Sequence, residues 1–321
     1  MSEIFGFETE GNTVVSKFAD QVKGRTFLIT GPSEGSIGAE TALSLARASP
    51  KQLLLLGRNK TRIDPIIKAI SEIDKNIAVK FFEVDLSSLE SVRNAAQAIL
   101  SDPTIPTINV IINNAGIMAC PYEKSIDGIE MQFASNHLGH FLLDNLLLPK
   151  VRASGPHARI VNISSWGHAF SQVNFDDINF NDGKDYIPLC GYGQSKTANV
   201  LHAVALKKRL AGSNIHAYAL HPGSIVSGLR KYATPEFAKA VSGHWEKLGK
   251  PMPVRKTMQQ GCATQLRAAL DPSLESRPEI YLQDCQLTSD PTDVYPYCVD
   301  PEAAERLWQL SEKLIGQKFD I

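Results

Sequence analysis

Short apolar runs recur along this chain, each separated from the next by a stretch of helical length, and that alternation narrows the available folds more than any other feature. Residues 23–30, 52–56, 78–84, 108–112, 159–163 and 215–220 read as buried strands. The stretches near 39–48, 60–74, 87–101, 126–149, 190–211 and 255–270 carry helical periodicity between them. Strands joined by helices form a parallel sheet with right-handed crossovers covering both faces. The expectation is an α/β fold, a doubly wound parallel sheet, in one domain over 23–321 preceded by a lightly ordered N-terminal arm over 1–22. No repeat, low-complexity segment or Gly-, Ser- and Pro-rich linker divides the 321 residues, a length ample for one large core.

In such a sheet, ligands gather outside the carboxyl ends of the strands. Those ends carry Gly57-Arg58-Asn59, Asp85-Leu86, Asn113-Asn114-Ala115-Gly116, Ser164-Ser165 and His221-Pro222-Gly223. The first strand runs into Thr30-Gly31-Pro32-Ser33-Glu34-Gly35-Ser36-Ile37-Gly38 and then into a helical pattern. Glycines allow a tight turn and close backbone approach to a pyrophosphate, while the helix behind it aims free N–H groups and its positive dipole end at the anion. The turn therefore points to an enzyme that handles a dinucleotide.

Composition removes other classes. With 43% hydrophobic residues, 21% charged residues and a net charge of −1, there is no basic excess to hold a nucleic-acid backbone. Apolar runs such as 53–56 fall far below the ~20 residues that span a bilayer, and the N-terminus lacks a signal pattern, so a cytoplasmic protein is expected. Five scattered cysteines suggest neither a disulfide framework nor a metal site.

Tyr192 and Lys196 stand four apart in a helical stretch and so share one face. An ammonium near a phenol favours phenolate, which would make Tyr192 an acid or base usable near neutral pH. Taken with the glycine turn, Asp85, Asn113 to Gly116, Asn136, Ser165, Tyr192-Gly193-Gln194-Ser195-Lys196 and Pro222-Gly223, this pair makes the chain resemble the short-chain dehydrogenase/reductase family over about residues 24–285. It is more closely similar to the branch of retinol dehydrogenases and WW-domain oxidoreductases. The marks are Ser135-Asn136-His137-Leu138-Gly139-His140-Phe141, the long interval between Ser165 and Tyr192, and residues 308–314.

The resemblance implies a Rossmann fold and a nicotinamide cofactor. It implies that Tyr192 passes a proton to or from a carbonyl or alcohol oxygen, that Ser165 polarises that oxygen, and that Lys196 also binds the nicotinamide ribose. Asn136 would hold a water linking Lys196 to solvent; its other reading is a helix amide satisfied by backbone. Ser164 competes with Ser165, although alternation after the strand favours the latter. Gly31, Ser33, Gly35, Ser36, Ile37 and Gly38 would meet the phosphates, with Asp85 and Leu86 at the adenine and Asn114, Ala115 and Gly116 along the cofactor. Asp85 has a second reading as a cap of the helix near Ser87. Pro222, Gly223, Ile225 and Ser227 would wall the nicotinamide site. The family places three residues between its first two glycines and one between its second and third. Here Ser36-Ile37 separate Gly35 from Gly38, so either the turn has one extra residue or Ser36 fills the middle glycine's place.

An NAD binder usually places an acid about 20 residues beyond the turn, whereas a 2′-phosphate needs a cation. Arg58 stands there and no acid occurs from Lys51 to Arg62, which favours NADP(H). Residues 228–253, with Leu229, Tyr232, Phe237, Val241 and Trp245, read as a substrate lid or as a packed excursion. The expected activity is NADP(H)-dependent reduction of an apolar ketone or aldehyde, or oxidation of a secondary alcohol. The alternative is a non-catalytic NADP(H)-binding regulatory or scaffold protein. The resemblance also implies a homodimer through the helices that contain Asn136 and Tyr192.

Overall fold

A computed structural model describes residues 5–249 and 251–321. Residues 1–4 of the expected arm and Lys250 of the expected lid lie outside the described residues. β1 (Thr26–Thr30), β2 (Gln52–Gly57), β3 (Ala78–Glu83), β4 (Val110–Asn113), β5 (Ala158–Ile163) and β6 (Ile215–His221) pair in parallel in the order β6-β5-β4-β1-β2-β3. Side chains alternate between two cores: Leu28, Leu54, Leu56 and Ile111 enter one, and Phe27, Ile29, Leu53, Leu55, Val110 and Ile112 enter the other. Burial on both faces is why these strands read as unbroken apolar runs.

Two small strands, β7 (Ser224–Ile225) and β8 (Arg255–Lys256), pair in parallel beside the sheet. A hairpin, β9 (Tyr281–Gln283) and β10 (Gln286–Thr288), extends the main sheet beyond β6, with β9 parallel to β6 and β10 antiparallel to β9. At three residues each, they are too short for a periodic signal.

The segment before β1 corrects the expectation of a loose arm. Its helix α1 (Gly11–Lys17) packs on α2 (Ile37–Ala46) and a later helix near the C-terminus, with Phe5, Val14, Val15 and Val22 buried. Only Val14 and Val15 mark α1 in sequence, and the surface they need is remote in the chain. Together with α3 (Asp64–Ile73), these helices cover one face. α4 (Leu89–Ser101) covers the other, along with a composite helix: α5 (Met131–Phe133), a π-helical turn (Ala134–Leu138) and α6 (Gly139–Arg152). α7 (Pro188–Arg209) lies beside it. α8 (Pro235–Lys247) stands outside the sheet, α9 (Met258–Leu270) is the partner of α1, and α10 (Pro301–Ile315) packs on α7.

α10 buries Ala304, Leu307, Trp308, Ser311 and Ile315. The Arg209 guanidinium lies 4.1 Å over the Trp308 ring and 2.9 Å from the Glu305 carboxylate, and Trp308 meets Phe141 edge-on at 4.8 Å. The chain thus covers this face of α6 and α7 itself.

Gly139 opens α6 where a Cβ would overlap the Leu86 carbonyl oxygen after β3. Because that neighbour is backbone, Gly139→Ala is expected to destabilise the fold by about 2 kcal/mol. Chemical denaturation reads this as a lowered midpoint, and an unchanged midpoint would contradict the close approach.

Candidate active site

β1 is flanked by β2 on one side and β4 on the other, which opens a crevice at their carboxyl ends. There the turns after β1 and β4 press together. The amides of Asn114 and Ala115 each donate to Thr30 Oγ1 at 3.0 Å, and Asn114 Nδ2 donates to Thr30 O at 2.9 Å. Gly31 has φ of 67°, and a Cβ on it would come within 2.9 Å of the Ala115 Cα. A Cβ on Gly38 would overlap the Asn114 amide. Both glycines are therefore demanded by packing as well as by any ligand.

Ser36 is the N-cap of α2: its Oγ accepts from Ala39 N–H at 3.1 Å and donates to Gly31 O at 3.3 Å. Gly35, at φ of 73°, has open space around it. Ser33 O accepts from Ser36 N–H at 3.1 Å, which closes the turn. Ile37 and Ile225 meet over Gly261, where a Cβ would come within 3.0 Å of both. Arg58 is exposed after β2 and has no ion pair among the described residues. The Glu34 amide donates to Arg62 O at 3.0 Å, which brings this loop alongside the glycine turn.

Asp85 Oδ1 accepts from the Ser87 amide at 2.9 Å and the Ser87 hydroxyl at 2.7 Å, while Ser88 is the actual cap of α4. Leu86 presents its carbonyl to Gly139. After β6, Gly223 has φ of 104° and lies under the Lys256 stem, whose Nζ is 2.6 Å from Asp284 Oδ1. Beyond Pro222 and Gly223, Ser227 caps a short turn, Gly228–Tyr232.

α7 carries Tyr192 and Lys196 into this crevice, 4% and 3% exposed. Gly167 lets the tyrosine in, since a Cβ there would come within 2.6 Å of its ring and 3.3 Å of Ser165 Oγ. The Ser165 hydroxyl therefore lies beside the Tyr192 ring. It also accepts from Gly167 N–H at 3.0 Å. Ser164 is buried, and its hydroxyl donates to Lys196 O at 2.8 Å, so Ser165 rather than Ser164 stands at the phenol.

The electrostatics differ from the sequence expectation. Burial pushes the Tyr192 phenol up to about 12, with the nearby Ser165 hydroxyl opposing it. Burial also pulls Lys196 down to about 7. Lys196 Nζ donates to Ile163 O at 3.0 Å and lies 5.6 Å from the Tyr192 ring. Desolvation is the largest influence on both groups, and for Tyr192 it favours the protonated phenol, the form needed to donate.

Asn136 lies in the π-helical turn, fully buried. Its Oδ1 accepts from the Ile117 amide at 2.8 Å, and its Nδ2 donates to Ile117 O and Ser195 Oγ, each at 2.9 Å. A Cβ on Gly116 would meet Asn136 Oδ1 at 3.2 Å and Lys196 Nζ at 3.4 Å, so these groups line one small space.

Residues of the expected lid and others not singled out from sequence, such as Met118, Gln132 and Tyr186, complete the surroundings. Met118, Ala119 and Tyr192 form an apolar cluster against which Phe237 of α8 packs. Trp245 stacks on Trp166 at 4.2 Å, and His244 meets the same indole at 4.3 Å. Tyr232 and Leu229 instead face outward, 39% and 36% exposed. Gln132 Oε1 accepts from the Ala119 amide at 2.7 Å, and its Nε2 donates to Tyr186 OH at 2.7 Å, bracing the wall. His168, given no role from sequence, hydrogen-bonds Ser165 O through Nδ1 at 2.7 Å. Among the described residues no cluster of metal-ligating side chains occurs, and no helix is long and apolar enough to cross a membrane.

A twisted parallel sheet with a glycine turn at its switch point and a buried Ser-Tyr-Lys group beside it defines a nicotinamide-type oxidoreductase fold. Residues 25–175 match the short chain dehydrogenase family. Short-chain dehydrogenase/reductase prx1 of Penicillium roqueforti is 37% identical over 307 residues, covering 92% of this chain and 86% of that protein. Retinol dehydrogenase 12 of Mus musculus is 35% identical over 300 residues, covering 94% and 89%. The crystal structure of an uncharacterized protein from Mycobacterium paratuberculosis superposes with a TM-score of 0.69 at 31% identity, covering 93% and 96%. The chain belongs to the short-chain dehydrogenase/reductase family and resembles its retinol dehydrogenases.

Proposed function

We propose that the protein is an NADP(H)-dependent carbonyl reductase or alcohol dehydrogenase acting on apolar ketones, aldehydes or secondary alcohols, with Tyr192 as general acid and base. The observation that carries this reading is the buried Tyr192 with Ser165 beside its ring, Lys196 nearby and Phe237 packed against it. The crevice fits a dinucleotide: glycines 31 and 38 keep the two turns open to close approach, the α2 N-terminus points at the turn, and Arg58 offers an unpaired cation for a 2′-phosphate. Gly31, Ser33 and Gly35 to Gly38 would hold the phosphates, Asp85 and Leu86 the adenine side, Asn114 to Gly116 the middle, and Pro222, Gly223, Ile225 and Ser227 the nicotinamide side.

When bound, the nicotinamide supplies hydride to the carbonyl carbon or takes it from the alcohol. Tyr192 gives its phenolic proton to the carbonyl oxygen as negative charge develops there. The Ser165 hydroxyl, which accepts from Gly167 N–H, would turn its one proton to that same oxygen when the carbonyl is in place. The Lys196 ammonium, a stronger acid than the phenol, would return a proton to the Tyr192 phenolate, and the lysine amine would then take one from solvent water. A panel of ketones, aldehydes and quinones tested for NADPH oxidation checks the reading. Carbonyl-dependent oxidation with NADPH, much weaker with NADH, is expected; NADPH binding without turnover on any member would overturn it.

The segment 228–253 serves as the substrate lid, held at its base by the β7–β8 pairing and closing on Tyr192 through Phe237. Phe237→Ala is therefore expected to raise the carbonyl KM about tenfold while leaving NADPH affinity within about threefold. Steady-state kinetics with a fluorescence titration separates the two constants, and an unchanged KM would reduce the segment to packing.

A further inference from the structure

His140 belongs to the Ser135 to Phe141 motif, yet nothing in the chemistry above uses it. Its ring is fully enclosed between the turn after β1 and the π-helical turn. Nδ1 lies 3.0 Å from Asn136 O, and Nε2 lies 2.8 Å from Thr30 Oγ1. The directions of these bonds follow from the partners. A carbonyl oxygen only accepts, so Nδ1 carries the proton. Burial pulls the ring down to about 4, so it is neutral and Nε2 must accept, with the Thr30 hydroxyl as donor. That hydroxyl also accepts from the Asn114 and Ala115 amides at 3.0 Å each, which uses its one proton and both lone pairs. The result is a directed, fully satisfied chain from the turn after β4, through Thr30 and His140, to the Asn136 carbonyl. Thr30 directly precedes Gly31. Asn136 shares its small space with Lys196.

We propose that His140 is a positioning residue that couples the dinucleotide turn at Thr30-Gly31 to the backbone at Asn136, so that ligand binding at the turn orders the Asn136 and Lys196 region. The proposal rests on the cofactor reading given above. The π-helical turn makes such a device useful: Gly139 N–H pairs back to Ala134 O, a wider turn than an α-helix, at which backbone geometry is set by side-chain partners as well as by helix pairing. A buried ring with both nitrogens bonded to different elements transmits a shift of one to the other, because neither bond can be lost without an unsatisfied buried group.

The test cuts one link at a time. An asparagine amide mimics Nδ1 and keeps the Asn136 link while losing Thr30. A glutamine amide reaches as far as Nε2 and keeps Thr30 while losing Asn136. Thr30→Ser keeps the hydroxyl and serves as the conservative control. Hydrogen exchange of the full-length protein with and without NADPH is the readout, together with kcat on a carbonyl substrate found for the wild type. In the wild type and Thr30→Ser, NADPH is expected to raise protection across both 31–39 and 135–141. In His140→Asn and His140→Gln the rise at 135–141 should vanish while that at 31–39 persists, with kcat about tenfold lower and NADPH affinity within about threefold. If both variants keep the rise at 135–141 and the wild-type kcat, or lose only thermal stability, His140 is a packing residue and the proposal is wrong. A wild type that binds NADPH with the coupled protection but turns over no carbonyl leaves the coupling standing and overturns the catalytic reading. A wild type that does not bind NADPH overturns both.

Discussion

Tyr192→Phe is expected to lower the chemical step by about two orders of magnitude or more while folding and NADPH binding survive. The substitution removes only the hydroxyl. The ring keeps its contacts with Met118, Ala119 and Phe237 and its seat over Gly167, so neither the lid nor the turn loses a partner. Burial favours the protonated form of this hydroxyl, with its pKa pushed up to about 12. Reduction draws on that protonated form and has it throughout the ordinary pH range. Oxidation of an alcohol needs the phenolate, so the wild-type oxidative rate should climb toward alkaline pH, and this climb should disappear in the phenylalanine variant. Single-turnover kinetics with saturating NADPH measures the step directly, and retention of most of the wild-type rate would remove Tyr192 from the chemistry.

Arg58→Asp is expected to weaken NADPH binding by about 2 kcal/mol or more, because a charge-assisted contact to the 2′-phosphate becomes a repulsion. NADH, which carries a hydroxyl at that position, should lose little, and an introduced carboxylate can accept from it. Arg58 is exposed at the end of β2 and unpaired among the described residues, so the substitution breaks no ion pair and should leave stability unchanged. Fluorescence titration with both cofactors gives the preference. Equal losses for the two, or none for either, would contradict the assignment.

The sheet was legible because β1, β2, β4 and β5 are buried on both faces and so write themselves as continuous apolar runs. β9 and β10 were not, since three residues give no period, and α1 was not, since Val14 and Val15 acquire meaning only against α9. In the site, Tyr192 and Lys196 were readable from their spacing in one helix. The direction of their pKa shifts was not. Spacing reports that an ammonium is near a phenol, whereas the shift depends on how completely both are removed from water, and that comes from packing of distant elements such as Met118 and Phe237. The glycine turn left two readings open in sequence, and what the fold adds is the Ser36 cap, where a hydroxyl satisfies Ala39 N–H and glycine would have nothing to offer. His140 carried a motif signal without a chemical one; its two partners lie on different elements, and only the fold brings Thr30 and Asn136 to opposite sides of one ring.

In the proposed reaction, hydride passes between NADPH and a carbonyl carbon beside Tyr192. Turnover of an apolar ketone with NADPH deuterated at the transferring position of the nicotinamide tests it most directly. The expected result is an alcohol carrying one deuterium on its carbinol carbon, formed in step with NADPH consumed and absent with Tyr192→Phe. NADPH consumption that leaves no deuterium on that carbon, or tight NADPH binding with no alcohol formed from any ketone or aldehyde, would contradict it.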